Sequence, residues 1–179
     1  MAAITYIGST VHINMPTITD ASDDFADDDA ATTITGTDAT DFAAIVANTV
    51  TNGAKIKGVI SVSELGETSE DVNFDVLETG RKTHVNGVRD IGEVSVNCQF
   101  FADPASTTAT ASEDVGQARI RFLNNSNTTI DICVTDADGQ RQAFQGVVAN
   151  YRVTERTASS YKGCMFVVRG QSKLYYGSA

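Results

Sequence analysis

Histidine and cysteine, the commonest bases and nucleophiles in catalysis, are scarce in this 179-residue chain. Its two histidines are His12 and His84, and its three cysteines are Cys98, Cys133 and Cys164. Cys98 and His84 suggest a nucleophile and its base. However, Cys98 alternates with valines along a predicted strand, and a thiol buried among apolar side chains is inert. His84 falls in a polar, charged stretch. We therefore expect no catalytic residue and no enzyme.

Other signatures of a binding or catalytic site are missing from the sequence. No phosphate-binding glycine loop, no H-E-x-x-H motif and no G-x-S-x-G motif occurs. The cysteines are odd in number, form no C-x-x-C pair and each lie within a strand-like run, which is typical of small buried hydrophobes in a reducing compartment. We expect no cofactor.

An acidic segment near the start carries six aspartates between Asp20 and Asp29, around a lone Phe25. Like charges at this density repel one another and resist packing, which favours a solvated loop. A calcium site is the alternative, but the spacing lacks the glycine at position six and the glutamate at position twelve of an EF-hand loop. We expect no metal here.

A basic cluster stands out because the chain as a whole has a net charge of −10. It lies between Gly80 and Asp90 and comprises Arg81, Lys82, His84 and Arg89. Most short charge clusters are solvated loops. The functional alternative is contact with an acidic surface on another copy, for which the Asp20–Asp29 segment is one candidate. Charges of this kind set register and association rate more than affinity.

The acidic balance also excludes a class of function. A protein that binds nucleic acid through its phosphates needs an excess of lysine and arginine, and this chain has 13 of these against 23 acidic residues.

No basic, apolar leader opens the chain and no apolar run approaches the length of a membrane span, so we expect a cytoplasmic protein that leaves the cell only by lysis. We expect one domain over residues 1–179, with an irregular part over residues 1–53.

Strand patterns dominate the middle of the chain. Between Glu93 and Phe100, Val94, Val96, Cys98 and Phe100 alternate with polar residues, which predicts one apolar and one wet face. Asp71–Val76 alternates in the same way, and Ile56, Gly58, Ile60 and Val62 indicate a third such face. About sixteen residues from Leu77 to Gly92 separate two of these strands, far more than a usual hairpin loop.

The flanking segments add helices and further strands. Apolar residues at helical spacing predict a helix over Asp38–Val50, capped by Thr40 or Asp41 and stopped at Asn52-Gly53. A second helix is predicted from Ser112, with Val115, Ala118 and Phe122 on one face, although Ala118–Phe122 also alternates as a strand would. An N-terminal strand is predicted over Ile4–Ile13. A hairpin turn at Asp138-Gly139 is predicted to join the strands Thr128–Thr135 and Phe144–Val153, the second of which would carry a bulge at Gly146. A final strand (Cys164–Arg169) and a tail with Tyr175-Tyr176 complete the chain.

These elements together predict a mainly β fold. It is an antiparallel β-sandwich or small barrel, with one helix packed alongside and a long hairpin-like loop.

The stretch from Ile56 to Phe101 resembles the major tail tube proteins of long-tailed bacteriophages. The resemblance lies in the order KIKGVISVSELG, EDVNFDVLETGRK and HVNGVRDIGEVSVNCQFF, with Val88–Val94 as the closest local match. The C-terminal half matches loosely, and the first fifty residues match nothing.

The resemblance implies a structural virion protein. Subunits of that family form hexameric rings that stack into a tube for DNA ejection, and a long loop packs between the rings. Partners would be further copies of the chain and other tail proteins (tape measure, tail terminator and distal tail), with DNA only in transit and no membrane. The protein would be found in the tail of the virion, after assembly in the host cytoplasm.

Two sets of site residues follow from the resemblance. The wet strand faces would line the channel, where acidic and uncharged polar walls keep a polyanion sliding; the candidates are Asp71, Asn73, Asp75, Glu93, Ser95, Asn97 and Gln99. The basic loop would contact the next ring through Arg81, Lys82, His84 and Arg89. Without the resemblance, the wet faces would simply meet bulk water.

Two alternatives stay open. The chain could be a capsid-decorating or receptor-binding β-sandwich that exposes Tyr161, Tyr175 and Tyr176 in loops. It could also be the tube protein of a contractile tail or of a secretion system, which shares the architecture.

Overall fold

The computed structural model describes residues 8–15, 31–76, 81–104, 111–124, 126–154 and 162–178. The strands are β1 (Thr10–Ile13), β2 (Ala54–Lys55), β3 (Val59–Val62), β4 (Thr68–Val76), β5 (Arg81–Asp90), β6 (Glu93–Gln99), β7 (Thr129–Thr135), β8 (Gln140–Val153), β9 (Gly163–Gly170) and β10 (Tyr175–Ser178). The helices are α1 (Asp38–Val46), which continues as a π-helical turn (Ala47–Thr51), and α2 (Val115–Leu123). The mainly β prediction is confirmed, and a helix lies in each of the two segments where the sequence predicts one.

Eight strands form one antiparallel sheet in the order β2-β1-β7-β8-β9-β6-β3, with β10 beside the first part of β8. Strand β8 is fourteen residues long and pairs with two strands along the same edge. Strand β10 pairs with its residues 140–143, and β9 pairs with its residues 146–153. The described strands leave this sheet open, with β2 and β3 at its ends, so the small-barrel alternative is wrong. Strands β4 and β5 form a separate two-stranded hairpin.

The main core lies on one face of the sheet. Strand alternation turns Val11, Val94, Ile132 and Phe166 to this face, where Ile120 of α2 joins them in one cluster of buried side chains. Helix α2 starts at Asp114, whose carboxylate accepts hydrogen bonds from the backbone N–H groups of Gly116 and Gln117, and ends at Asn124.

Helix α2 confirms the preferred prediction, but its buried face differs from the predicted one. Phe122 is 50% exposed, whereas Ala118, Arg119 and Leu123 are buried. Gln117 is buried because its side chain satisfies three backbone groups: Nε2 donates to the carbonyls of Lys57 and Gln99, and Oε1 accepts from the N–H of Phe101.

Helix α1 covers the other face of the sheet, where Ile45 packs on Ala143 and Tyr175. Its N-cap is Thr37 rather than the predicted Thr40 or Asp41. Asp41 is buried and instead binds the segment before the helix, accepting hydrogen bonds from the Thr35 N–H (2.8 Å) and hydroxyl (2.7 Å) and from the Gly36 N–H (2.9 Å). The predicted stop is confirmed, because the π-helical turn ends at Asn52.

A buried carboxylate on β7 fixes the same segment to the sheet. The Asp131 side chain accepts hydrogen bonds from the Thr32 N–H (2.9 Å) and hydroxyl (2.6 Å), from Asn48 Nδ2 (2.6 Å) and from Gln145 Nε2 (2.7 Å). A charge in the interior is tolerated only when its lone pairs are satisfied in this way. Sequence patterning did not single out this network.

Two β-bulges change the predicted strand phases. In β3, the register against β6 shifts between Val59 and Ser61, so Val59 and Val62 pack against the core while Ile60 is 50% exposed. The predicted face of Ile56, Gly58, Ile60 and Val62 is therefore wrong. Ile56 is buried, but it lies before a turn in which Gly58 adopts a φ of +65°, a conformation that glycine tolerates.

The bulge in β8 exists but not where it was predicted. The register against β9 shifts between Val148 and Asn150, which places the extra residue at Ala149 instead of Gly146. Phe144 and Val148 therefore face the core before the bulge, and Tyr151 packs against it afterwards. The hairpin turn before β8 is confirmed, with Gly139 at a φ of +85°.

Candidate assembly surfaces

The wet face of β6 has the predicted alternation. Val94, Val96 and Cys98 are buried, whereas Glu93 and Gln99 are exposed and Ser95 and Asn97 are partly exposed. This alternation places Glu93, Ser95, Asn97 and Gln99 on the face opposite the core. Phe100 follows the strand and packs against the core, as predicted.

Ser61 on β3 and Arg169 on β9 add polar groups to this face, whereas Met165 and Val167 of β9 lie opposite Asn97 and Ser95. Asn97 Nδ2 donates to the Ser61 hydroxyl (3.0 Å) on β3. Glu93 forms a salt bridge with Arg169 on β9, with 2.9 Å between Oε1 and Nε and both side chains more than half exposed. Arg169 was not among the sequence candidates, although its place opposite Glu93 follows from the pairing of β6 with β9. The β6 face thus contributes uncharged polar groups and one neutralised acid.

The hairpin β4–β5 carries the other candidates. Its register places Asp71 opposite Asn86, Asn73 opposite His84 and Asp75 opposite Lys82. Arg81, Lys82, His84 and Arg89 belong to a ten-residue strand, so the predicted hairpin-like loop is present, but as a two-stranded hairpin instead of a connection over Leu77–Gly92. Acidic residues are concentrated on β4 and basic residues on β5.

The base of the hairpin is tied to the main sheet. Glu67 Oε1 accepts a hydrogen bond from the Leu174 N–H (2.7 Å), and Glu67 Oε2 lies 3.5 Å from a guanidinium nitrogen of Arg89. After β5, the Gly92 carbonyl accepts from the Gly170 N–H (2.9 Å). Within the described residues, the two hairpin strands pair only with each other, so each has an edge available for a further strand.

Chemistry at the histidines and cysteines is limited. Cys98 is buried and faces Cys164, with 3.5 Å between the two sulfurs. The hydrogen bond between Cys98 and Cys164 and burial raise the pKa of Cys98, which argues against a reactive nucleophile there. Burial and the charges of Lys55 and Arg141 lower the pKa of His12, which keeps this imidazole neutral at pH 7.

No group of three or more metal-binding side chains occurs among the described residues, and the Asp20–Asp29 segment lies outside them. None of the helices in the described ranges is long and apolar enough to cross a membrane. Of the tyrosines considered for a binding surface, Tyr175 is buried at 3% exposure, Tyr176 is 62% exposed, and Tyr161 lies outside the described residues.

Comparison of the structure with solved ones identifies the architecture. A chain in the tail of an empty gene transfer agent particle, refined with C6 symmetry, matches with a TM-score of 0.51 at 14% identity, over 71% of this chain and 87% of that one. The SPP1 tail tube matches with a TM-score of 0.54 at 8% identity, over 96% of this chain and 77% of that one. The chain has the tail tube fold.

Two further solved structures also have a similar fold. A chain in the virion of a native gene transfer agent matches with a TM-score of 0.53 at 12% identity, over 70% of this chain and 89% of that one. The contractile injection system sheath-tube complex called PVC, in its extended state, matches with a TM-score of 0.50 at 12% identity, over 70% and 83% of the two chains. No protein-family model and no curated protein sequence matches the chain.

Proposed function

We propose that this chain is a structural subunit of a phage-type tail tube, in which hexameric rings stack into the conduit for DNA ejection. The observation that carries the proposal is the tail tube fold, shared with the SPP1 tail tube and with a gene transfer agent tail of C6 symmetry. Mature subunits would be found in the tail of the virion. The role is structural, and the subunit would contact the tape measure, terminator and distal tail proteins at the ends of the tube.

Ring closure would use the ends of the open sheet. Among the described strands, β3 pairs only with β6 and β2 only with β1, so each has an edge without a neighbour. Such edges associate readily with other strands. The bulge at β3 exposes half of Ile60 beside this edge, an apolar side chain that contact with a neighbouring copy would bury.

The channel would be lined by the polar face of β6 and by β4. Glu93, Ser95, Asn97 and Gln99 present hydroxyl, amide and one ion-paired acidic group, and β4 adds Asp71, Asn73 and Asp75. In this lining Lys82 stands opposite Asp75 and Arg169 is ion-paired with Glu93, so few free cations would face the phosphates and DNA would pass without being retained.

Stacking would use the hairpin. Strand β5 carries Arg81, Lys82 and Arg89. A basic strand of one copy fits an acidic surface of the next, and charges arranged in this way fix the register of association. The Asp20–Asp29 segment of a neighbouring copy is the candidate acceptor for β5.

Electron microscopy of purified variants tests the proposal. Wild-type protein should form rings or tubes. Ile60→Lys places a charge beside the β3 edge and should prevent their formation, whereas Ile34→Lys alters another exposed isoleucine (37%) in the segment before α1 and should leave assembly intact. Circular dichroism would establish that both variants are folded. A strictly monomeric wild type over several salt and protein concentrations would contradict the proposal.

The tube of a contractile tail or injection system is the second candidate function, because the PVC sheath-tube complex shares the fold at a similar TM-score. A capsid-decorating or receptor-binding module gains little support, because Tyr175 packs under α1 instead of being displayed in a loop.

A further inference from the structure

We propose that Cys98 and Cys164 form an oxidisable pair that closes to an intramolecular disulfide when a small peroxide reaches it. The two residues lie directly opposite each other on β6 and β9, 66 residues apart in sequence, with 3.5 Å between their sulfurs. A disulfide needs Cα atoms about 4.4–6.8 Å apart, and directly opposed residues of an antiparallel pair lie about 4.5–5.5 Å apart. Side-chain rotation is therefore enough to join them.

The surroundings distinguish the two sulfurs. Cys164 Sγ lies 3.5 Å from Gln117 Oε1, and its hydrogen bond with Cys98, its contact with Tyr151 and the charge of Arg121 lower its pKa. The pKa of Cys98 is raised by the same pairing and by burial. Cys164 is consequently the more acidic of the two thiols and the one that reacts first.

Both thiols are only 1% exposed, but their positions favour access to a small oxidant. Cys98 is the last residue but one of β6, and Cys164 is the second residue of β9. Strand ends open more readily than strand centres. Hydrogen peroxide is small enough to enter through such an opening, whereas a bulky disulfide reagent is not.

The reaction balances with one peroxide. The Cys164 thiolate attacks a peroxide oxygen, the O–O bond breaks, hydroxide leaves and Cys164 becomes a sulfenic acid. The Cys98 sulfur then attacks the Cys164 sulfur and passes its proton to the departing hydroxide as the S–S bond forms and the S–O bond breaks. The two thiol protons convert both hydroxides to water, so two thiols and one peroxide give one disulfide and two waters, and two electrons pass from sulfur to oxygen.

The setting for this reaction rests on the proposed function, because a tail protein assembles in a reducing cytoplasm and then enters an oxidising medium. The bond would join two neighbouring strands of the main sheet after assembly. Because the disulfide would close a loop between residues 66 positions apart, it should raise the Tm of the protein by about 10 °C.

The third cysteine supplies the matched control. Cys133 is buried on β7 opposite His12 and Ala143, and it is the remaining free thiol of the chain. The whole chain would be treated with hydrogen peroxide, denatured and titrated for thiols, with peptide mapping by mass spectrometry. The expected thiol count falls from three to one, the mapped species is the Cys98–Cys164 peptide pair two hydrogens lighter, and dithiothreitol reverses the change.

Variants make the test decisive. Cys133→Ser should still close the bond, and its thiol count should fall from two to zero, whereas Cys98→Ser should form no disulfide. Three remaining thiols in oxidised, folded wild type would overturn the proposal, as would sulfinic acid at Cys164 without a Cys98 link. The measurement does not require tubes, so failure of the pair and failure of the tail tube assignment would be seen separately.

Discussion

Replacement of Asp131 by alanine should destabilise the protein more than any surface substitution. The carboxylate is fully buried and accepts four hydrogen bonds at 2.6–2.9 Å from Thr32, Asn48 and Gln145. Hydrogen bonds to a charged acceptor each contribute about 1.5–3 kcal/mol, and removal of the acceptor leaves buried amide donors without a partner. Because these terms are not additive, we expect a loss of about 4 kcal/mol, within the range for broken buried charge networks.

The assay is thermal unfolding followed by circular dichroism. For a chain of this size, each kcal/mol shifts Tm by about 2–4 °C, so Asp131→Ala should melt about 12 °C below the wild type. Asp131→Asn keeps the shape and one acceptor oxygen, and should lose about half as much. Glu64→Ala, at an exposed position between β3 and β4, is the control and should change Tm by about 1 °C or less. If Asp131→Ala melted with the control, the buried network would not be what fixes the segment before α1.

Three further predictions concern pH, stacking and DNA passage. The Thr35 hydroxyl, with the Thr35 and Gly36 N–H groups and the Tyr175 hydroxyl, holds the pKa of Asp41 below its ordinary value against the effect of burial. The stabilisation that Asp41 contributes is therefore present above the pKa of an unfolded aspartate and is lost as pH falls through the lowered folded value. When the free energy of unfolding is measured against acid pH, Asp41→Asn should not show this loss. Parallel curves for the wild type and the variant would contradict the assignment. Arg81→Glu with Lys82→Glu should cut tube length by reversing charge on β5 while rings persist in micrographs, and unchanged tube length would remove that role. Asp75→Lys with Glu93→Lys should slow DNA ejection from assembled particles, since Glu93→Lys also frees Arg169, and an unaffected ejection rate would mean that these side chains do not line the conduit.

How far the sequence predicts the fold depends on whether a strand has one apolar face and no bulge. Strand β6 meets both conditions, so the alternation of Val94, Val96 and Cys98 predicted its core face correctly. Strands β3 and β8 each carry a bulge, and one extra residue turns every later side chain to the other face. The extra residues of the two bulges are Ile60 and Ala149. Neither residue type indicates a bulge in a sequence, so the sequence alone does not reveal these positions.

The strand character of β5 escaped prediction for a different reason. The segment that begins with Arg81 and Lys82 lacks the apolar alternation that identifies a half-buried strand, so its charge suggested a loop. Its strand character comes from pairing with β4, a contact between segments that the local pattern does not encode. Likewise, the Glu93–Arg169 and Cys98–Cys164 pairs require the register of β6 against β9, which only the assembled sheet supplies.

Electron cryomicroscopy of the assembled wild-type protein would show how its subunits are arranged. We expect a hollow tube of six-fold rings, with the polar face of β6, including Glu93 and Asn97, turned to the bore and the β4–β5 hairpin in contact with a neighbouring copy. A reconstruction that placed Asp75 and Glu93 on the outer wall, or a protein that formed no tube at all, would contradict it.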